Sequence, residues 1–177
     1  PWDYVLHHIA HAASALYMSR YRESMEQTID QNGEDDSALL GVLRDGVFEV
    51  LGRKRAPESL GGLYSNVTHQ LGFVRHVEEG KTMGLAPYGK SVVDIPGVRI
   101  REGTYDMARR YLSSGFWDHV DTPRHDGEPI EERHQNLAAS AQGVLEEAGM
   151  ALSRGLHKNT NIRTLCLAGG VALNCDM

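Results

Sequence analysis

Apolar positions recur along this chain with two different periods. From Glu131 to His157, Leu137, Ala141, Val144, Leu145, Ala148, Leu152 and Leu156 form one stripe at helical spacing, which predicts a long amphipathic helix. Ala12–Tyr21 is dense in good helix formers and predicts a second helix. Glu58–Phe73 carries Leu60, Leu63, Tyr64, Val67, Leu71 and Phe73 behind Pro57, and predicts a third. Ser37–Leu43 and Val47–Arg53 are β-prone runs separated by Arg44-Asp45-Gly46, a hairpin signal. Asp94–Gly103 predicts a short strand and Tyr105–Ser113 a helix, with Lys81–Lys90 a Gly/Pro-punctuated connector and Trp117–Ile130 an exposed loop. Thr164–Ala168 reads as a short buried strand running into Gly169-Gly170. Hairpin, helix, long helix, strand and glycine turn in that order predict an α/β fold.

The bulk composition narrows the class. With 177 residues, 41% hydrophobic and 24% charged, the chain is globular, one ordinary domain or a piece of a larger one. Eighteen basic residues against 24 acidic ones leave a net charge of -6, so no global basic field draws it to nucleic acid or an anionic membrane. Two cysteines, Cys166 and Cys175, suit a reduced cytoplasmic protein better than a disulfide scaffold. No apolar run approaches the ~20 residues of a membrane span. The chain opens without Met and stops three residues after Asn174, directly behind a glycine turn, which leads us to expect a fragment.

Three segments carry candidate chemistry. His7 and His11 lie four residues apart, so on a helix their imidazoles share a face and can grip one cation. Two such ligands do not choose among zinc, iron, manganese and nickel, and polar residues at a helix start give the same pattern. Asp30, Glu34, Asp35 and Asp36, around an acidic turn Asp30-Gln31-Asn32-Gly33-Glu34, are candidates for a third ligand, or a solvated loop. Gly169 and Gly170 stand where a strand meets an expected helix, where backbone N–H groups can approach an anion and the helix N-terminus adds favourable potential. The spacing is neither that of a dinucleotide fingerprint nor of a Walker A loop. Lys81-Thr82-Met83-Gly84-Leu85-Ala86-Pro87-Tyr88-Gly89 sets a cation before a compact loop, and a plain connector with a solvated lysine fits it as well. His69, His76, His119, His125, His134 and His157 are scattered and read as ordinary.

The order of these segments says more than any one of them. His7-His8-Ile9-Ala10-His11-Ala12-Ala13-Ser14-Ala15, the acidic turn, Gly62-Leu63-Tyr64-Ser65, Met83-Gly84-Leu85-Ala86-Pro87-Tyr88-Gly89, Leu137-Ala138-Ala139-Ser140-Ala141-Gln142 and Gly169-Gly170-Val171-Ala172-Leu173-Asn174 follow one another. Along nearly its whole length the chain resembles the O-carbamoyltransferases of nodulation-factor and antibiotic biosynthesis. The shared part is similar to their domain related to the tRNA threonylcarbamoyladenosine enzyme, of actin-like (ribonuclease-H-like) ATPase fold.

The resemblance implies transfer of a carbamoyl group from carbamoyl phosphate, through a carbamoyl-adenylate made with ATP, to a hydroxyl of a small-molecule acceptor. It implies a divalent metal, usually iron(II), on His7, His11 and Asp30, with a further Asp ligand beyond the end of this chain. ATP or the adenylate would lie against Lys81, Gly84, Gly89, Gly169, Gly170 and Asn174. A general base for the acceptor hydroxyl is expected, and His8, beside the ligands, is the candidate, with a buried structural role as the competing reading. A homodimer is admitted; no nucleic-acid or membrane partner is expected. The family's acidic turn is usually D-G-x-G-E, and here Gln31 replaces the first glycine. Residues 1–177 are expected to be the central part of the domain, lacking its amino-terminal strands, its second half and the accessory adenylate-forming domain, and inactive alone. A threonylcarbamoyl transferase acting on tRNA and a non-catalytic nucleotide-binding module are the alternatives.

Overall fold

The structure, a computed structural model, describes residues 2–108, 117, 120, 122–125 and 127–177. Its centre is an eleven-residue strand, β1 (Glu23–Gly33). The predicted hairpin forms as β2 (Asp36–Arg44) and β3 (Val47–Arg55), turned at Asp45-Gly46, where both residues have positive φ. A fourth strand, β6 (Leu165–Ala168), lies parallel to β1, giving the order β3-β2-β1-β6, with the first two pairings antiparallel. β4 (Val98–Arg101) and β5 (Thr104–Met107) make a separate antiparallel ribbon.

Helices cover both faces of the four-stranded sheet. One face carries α1 (His7–Ser19), whose Ala12 and Leu16 pack on Leu43 and Cys166. The other carries α2 (Leu60–Gln70) and the long α4 (Glu132–Thr160). There Ile29 and Ala38 of the sheet join Leu60, Leu63, Val67, Leu137, Ala141, Leu145, Ala148 and Leu152 in one core. The stripe read from the sequence is therefore the buried face of α4. A short helix, α3 (Glu79–Leu85), and a 3-10 turn at Ala86–Tyr88 pack against α4 and α2. No helix among the described residues is long and apolar enough to cross a membrane.

Three expectations change. Lys81–Lys90 is not a bare connector, because α3 begins at Glu79 and runs through Leu85, burying Thr82 and Leu85. Thr104–Met107 is a strand where a helix was expected from Tyr105. Tyr105 and Met107 alternate inward against Thr104 and Asp106, and the ribbon pairing with β4 overrides local helix propensity. The rest of that predicted helix, and part of the Trp117–Ile130 loop with His119, lies outside the described residues. Finally, Asp30 stands on β1, and the acidic turn proper is confined to Glu34-Asp35.

Strand β1 is unusual in what it buries. Met25, Gln27 and Ile29 face α2 and α4, with Gln27 bonded to Gly149 and Ser153 of α4. Ser24, Glu26, Thr28 and Asp30 occupy the alternate positions, on the α1 face. Glu26 is fully buried, and neither carboxylate oxygen has a hydrogen-bond partner among the described residues. Burial pushes its carboxyl up to about 8.

The unfolded chain releases this proton near the ordinary carboxylate value, whereas the folded chain keeps it to about pH 8. Between the two the folded state binds the extra proton, so stability falls as pH rises across that window and the loss is complete above it. At about 1.4 kcal/mol per unit, the loss is on the order of 5 kcal/mol. Glu26→Leu is expected to flatten the decline in Tm between pH 5 and 8.5 and to raise Tm most at the alkaline end. An undiminished decline in the variant would place its origin elsewhere.

Candidate metal centre and adjoining cavity

Helix α1 has no side-chain cap at its start; instead the His7 N–H donates to the Glu34 carboxylate, 3.2 Å away, and Tyr4 O–H donates to the same carboxylate. The Tyr4 hydrogen bond holds the Glu34 carboxyl below its ordinary value. The start of α1 is thus tied to the turn that follows β1.

One helical turn apart, His7 and His11 turn their rings to the same side, 4.5 Å between centroids. Both Nε2 atoms meet Asp30 Oδ2, at 3.2 Å for His7 and 3.0 Å for His11, and lie 3.0 Å from each other. Asp30 Oδ1 accepts from its neighbour, the Gln31 N–H, at 2.7 Å, and the Gly170 N–H also donates to the carboxylate. Burial pushes the Asp30 carboxyl up, but the His7 contact, these two backbone donors and His11 overcome it and hold the group below its usual value.

Gly33 seats the cluster: a Cβ there would collide with Cβ, Cγ and Cδ2 of His7. His8 points the other way, into the sheet, and is 1% exposed. Its Nε2 donates to the Asp36 carbonyl at 3.1 Å, which leaves Nδ1 to accept from the Thr28 hydroxyl at 2.6 Å. Burial lowers its pKa.

The donor set suits a divalent cation. Three ligand atoms spaced 3.0 to 3.2 Å apart match the face of an octahedron with bonds of about 2.0–2.2 Å. Two imidazoles and one carboxylate are a borderline set that iron(II), manganese or zinc accepts. Side-chain exposures of 42% for His7, 32% for His11 and 20% for Asp30 leave one side open to further oxygen ligands.

On the other side of Asp30 lies a cavity of about 500 Å³. Asp30, Gln31, Tyr64, Glu79, Gly170 and Asn174 are among its walls. Gly170 opens a short 3-10 turn, Gly170–Leu173, behind Gly169, whose φ of +93° and contact with the Ile29 carbonyl exclude a side chain. Asn174 pairs with Gln142 of α4 through reciprocal amide bonds of 2.8 and 3.0 Å, and Tyr64 O–H donates to the same Gln142 oxygen at 2.9 Å.

Of the glycine-loop residues singled out in the sequence, Gly170 and Asn174 line the cavity, and Gly169 shapes the turn behind it. Lys81, Gly84 and Gly89 do not line it. Lys81 pairs with Glu78 and lies over the Phe73 ring; Gly89 packs against the Gln135 backbone of α4; a side chain at Gly84 would meet open space. Tyr64 and Glu79 were missed as wall residues, although Tyr64 lies in one of the motif strings; Gln142, in another, stands behind the wall and holds Tyr64 and Asn174.

These contacts bring the histidine pair, Asp30 and the Gly169-Gly170 turn to one place. A family model described as carbamoyltransferase N-terminus matches residues 2–177. The chain belongs to that family.

Among its relatives, the chain is 34% identical to nodulation protein NolNO of Sinorhizobium fredii, over 99% of this chain and 26% of the relative. It is 34% identical to nodulation protein NolO of Bradyrhizobium diazoefficiens, over 97% of this chain and 32% of the relative. More distantly, it is 26% identical to the tRNA N6-adenosine threonylcarbamoyltransferase of Anoxybacillus flavithermus, over 94% of this chain and 48% of that enzyme. The chain therefore spans about a quarter to a third of the nodulation relatives. Within this family segment, the resemblance carried by the histidine, Met-Gly-Leu-Ala-Pro-Tyr-Gly and Gly-Gly-Val-Ala-Leu-Asn strings holds.

His11→Ala and Asp30→Asn are each expected to weaken divalent-metal retention by about 100-fold, measured as metal content after dialysis against a chelator. Gly33→Ala, which pushes on His7 without removing any ligand group, is expected to cost about tenfold. Equal metal content in all four proteins would remove the cluster as a metal site.

Proposed function

We propose that this segment forms part of an O-carbamoyltransferase, which moves a carbamoyl group from carbamoyl phosphate, through a carbamoyl-adenylate made with ATP, to a hydroxyl of a small molecule. The observation that carries the reading is the position of Asp30, with one oxygen on the histidine pair, the other accepting from the Gln31 N–H, and the Gly170 N–H at the cavity wall also donating to the carboxylate. Family membership and the nodulation relatives support carbamoyl transfer in general. The sheet with three antiparallel strands, a fourth parallel to the first and helices on both faces supports an actin-like ATPase fold.

In this reading His7, His11 and Asp30 hold a divalent cation, iron(II) first. When bound, the cation neutralises charge on phosphate oxygens and polarises the mixed anhydride. The adenylate lies in the cavity against Gly170 and Asn174, with Tyr64 and Gln142 fixing the Asn174 amide. His8, with both ring nitrogens committed and no exposure, positions α1 on β1 rather than handling the acceptor proton.

The acidic chain and the higher identity to the nodulation proteins favour a small-molecule acceptor over tRNA. The test is incorporation of labelled carbamoyl phosphate by the natural full-length protein, with ATP, into hydroxyl acceptors and into tRNA. The expected result is ATP-dependent labelling of a small acceptor, reduced at least about 100-fold in His11→Ala. Labelling of tRNA alone would shift the reading to the threonylcarbamoyl branch, and no labelling with ATP still bound would leave a nucleotide-binding module.

A further inference from the structure

The cavity holds one more group that the motifs do not include. His76 lies in the loop before α3, with φ of +65°, in the left-handed region that few residues other than glycine adopt. Its backbone N–H donates to Glu79 Oε1 at 2.7 Å and to Ser65 Oγ at 3.3 Å, and Ser65 in turn donates to Glu79. That set of bonds fixes the residue at the cavity wall, where His76, Gln31 and Glu79 stand together.

The His76 ring is oriented as well as placed. Nδ1 lies 2.6 Å from Gln31 Oε1, so Nδ1–H donates and Gln31 accepts. An amide oxygen cannot donate, so the neutral ring carries its proton on Nδ1 and a lone pair on Nε2. Nε2 has no partner among the described residues. Gln31 is the residue that stands where the family turn usually has glycine. It follows the ligand Asp30 directly, and the Ser59 hydroxyl that caps α2 donates to its carbonyl. A glycine at 31 would offer His76 no side-chain acceptor.

We propose that His76 is the general base that accepts the proton of the acceptor hydroxyl, with Gln31 as the positioning residue that sets its tautomer. The assignment rests on the carbamoyl-transfer reading above. In the step, the acceptor oxygen bonds to the carbamoyl carbon and the bond from that carbon to the phosphate oxygen breaks. The adenylate leaves as AMP, and the hydroxyl proton passes to His76 Nε2. Because His76 is exposed, the imidazolium can return that proton to solvent. The charged and titratable groups around it are Glu79 and Glu78 of the α3 start, Arg75 in its loop, Tyr64 on α2 and Asp30 on β1.

Two readouts test it in the natural full-length protein. His76→Gly, which relieves the backbone at a positive φ, is expected to lower kcat about 100-fold or more, with glycerol or water as acceptor probe and carbamoyl phosphate and ATP as donors. Metal content and KM for ATP should stay within twofold, and added imidazole should restore part of kcat. Gln31→Leu should lower kcat about tenfold. Nitrogen-15 spectra of labelled histidine should show His76 protonated on Nδ1, and on Nε2 in Gln31→Leu. A wild-type His76 protonated on Nε2, or a His76→Gly protein that keeps full kcat or gains nothing from imidazole, overturns the assignment while leaving carbamoyl transfer standing. A wild-type protein that transfers to neither probe nor any other hydroxyl overturns the reading on which it rests.

Discussion

The molecule is organised by the polar face of one central strand. β1 pairs on both sides and is covered on both faces, yet its α1 side carries Ser24, Glu26, Thr28 and Asp30. Buried polar groups need partners. Histidines of α1 supply them at one end of the strand: His8 for Thr28, His7 and His11 for Asp30. Further along, Ala12 and Leu16 of the same helix offer nothing, and the Glu26 carboxylate and Ser24 hydroxyl have no partner among the described residues. The docking of α1 is polar and directional at the site end and apolar at the other, so the histidine cluster is held in register by the same contacts that close the fold.

Parts of this were legible in the sequence for clear physical reasons. α4 shows an uninterrupted apolar stripe, and the β2–β3 turn has Asp45-Gly46 at two positive φ positions, so local pattern and tertiary structure agree. β1 was invisible because the usual alternation is replaced by polar residues on one face and by Gln27 on the other. α3 is seven residues long with two glycines, too little local signal to outweigh the look of a loop. The short β5 has only Tyr105 and Met107 as inward positions, which a helix would also accommodate.

The site divides in the same way. His7 and His11 announce themselves by spacing on one helix, and Asp30 by its acidic neighbourhood. The cavity walls and the contacts behind them are assembled from residues far apart in the chain: Tyr64 meets Gln142 across 78 positions, and Gln31 meets His76 across 45. Such contacts are set by how α2 and α4 cross the sheet, which no local spacing encodes. The replacement of glycine by Gln31, which looked like a departure from the motif, is accommodated in strand conformation and finds a partner across the cavity.

Asp30 serves two neighbourhoods with one carboxylate. Its Oδ2 belongs to the histidine pair, while the backbone of residues 31 and 170 holds the group from the cavity side. A displacement of the Gly169–Gly170 turn by an occupant of the cavity would tug on the same planar group that the imidazoles face. Two binding events that share a rigid lever cannot be energetically independent, and reciprocity requires each to alter the other by the same factor. Under the proposed reading, a cation on the imidazoles and a nucleotide in the cavity would be coupled through the geometry of this single side chain.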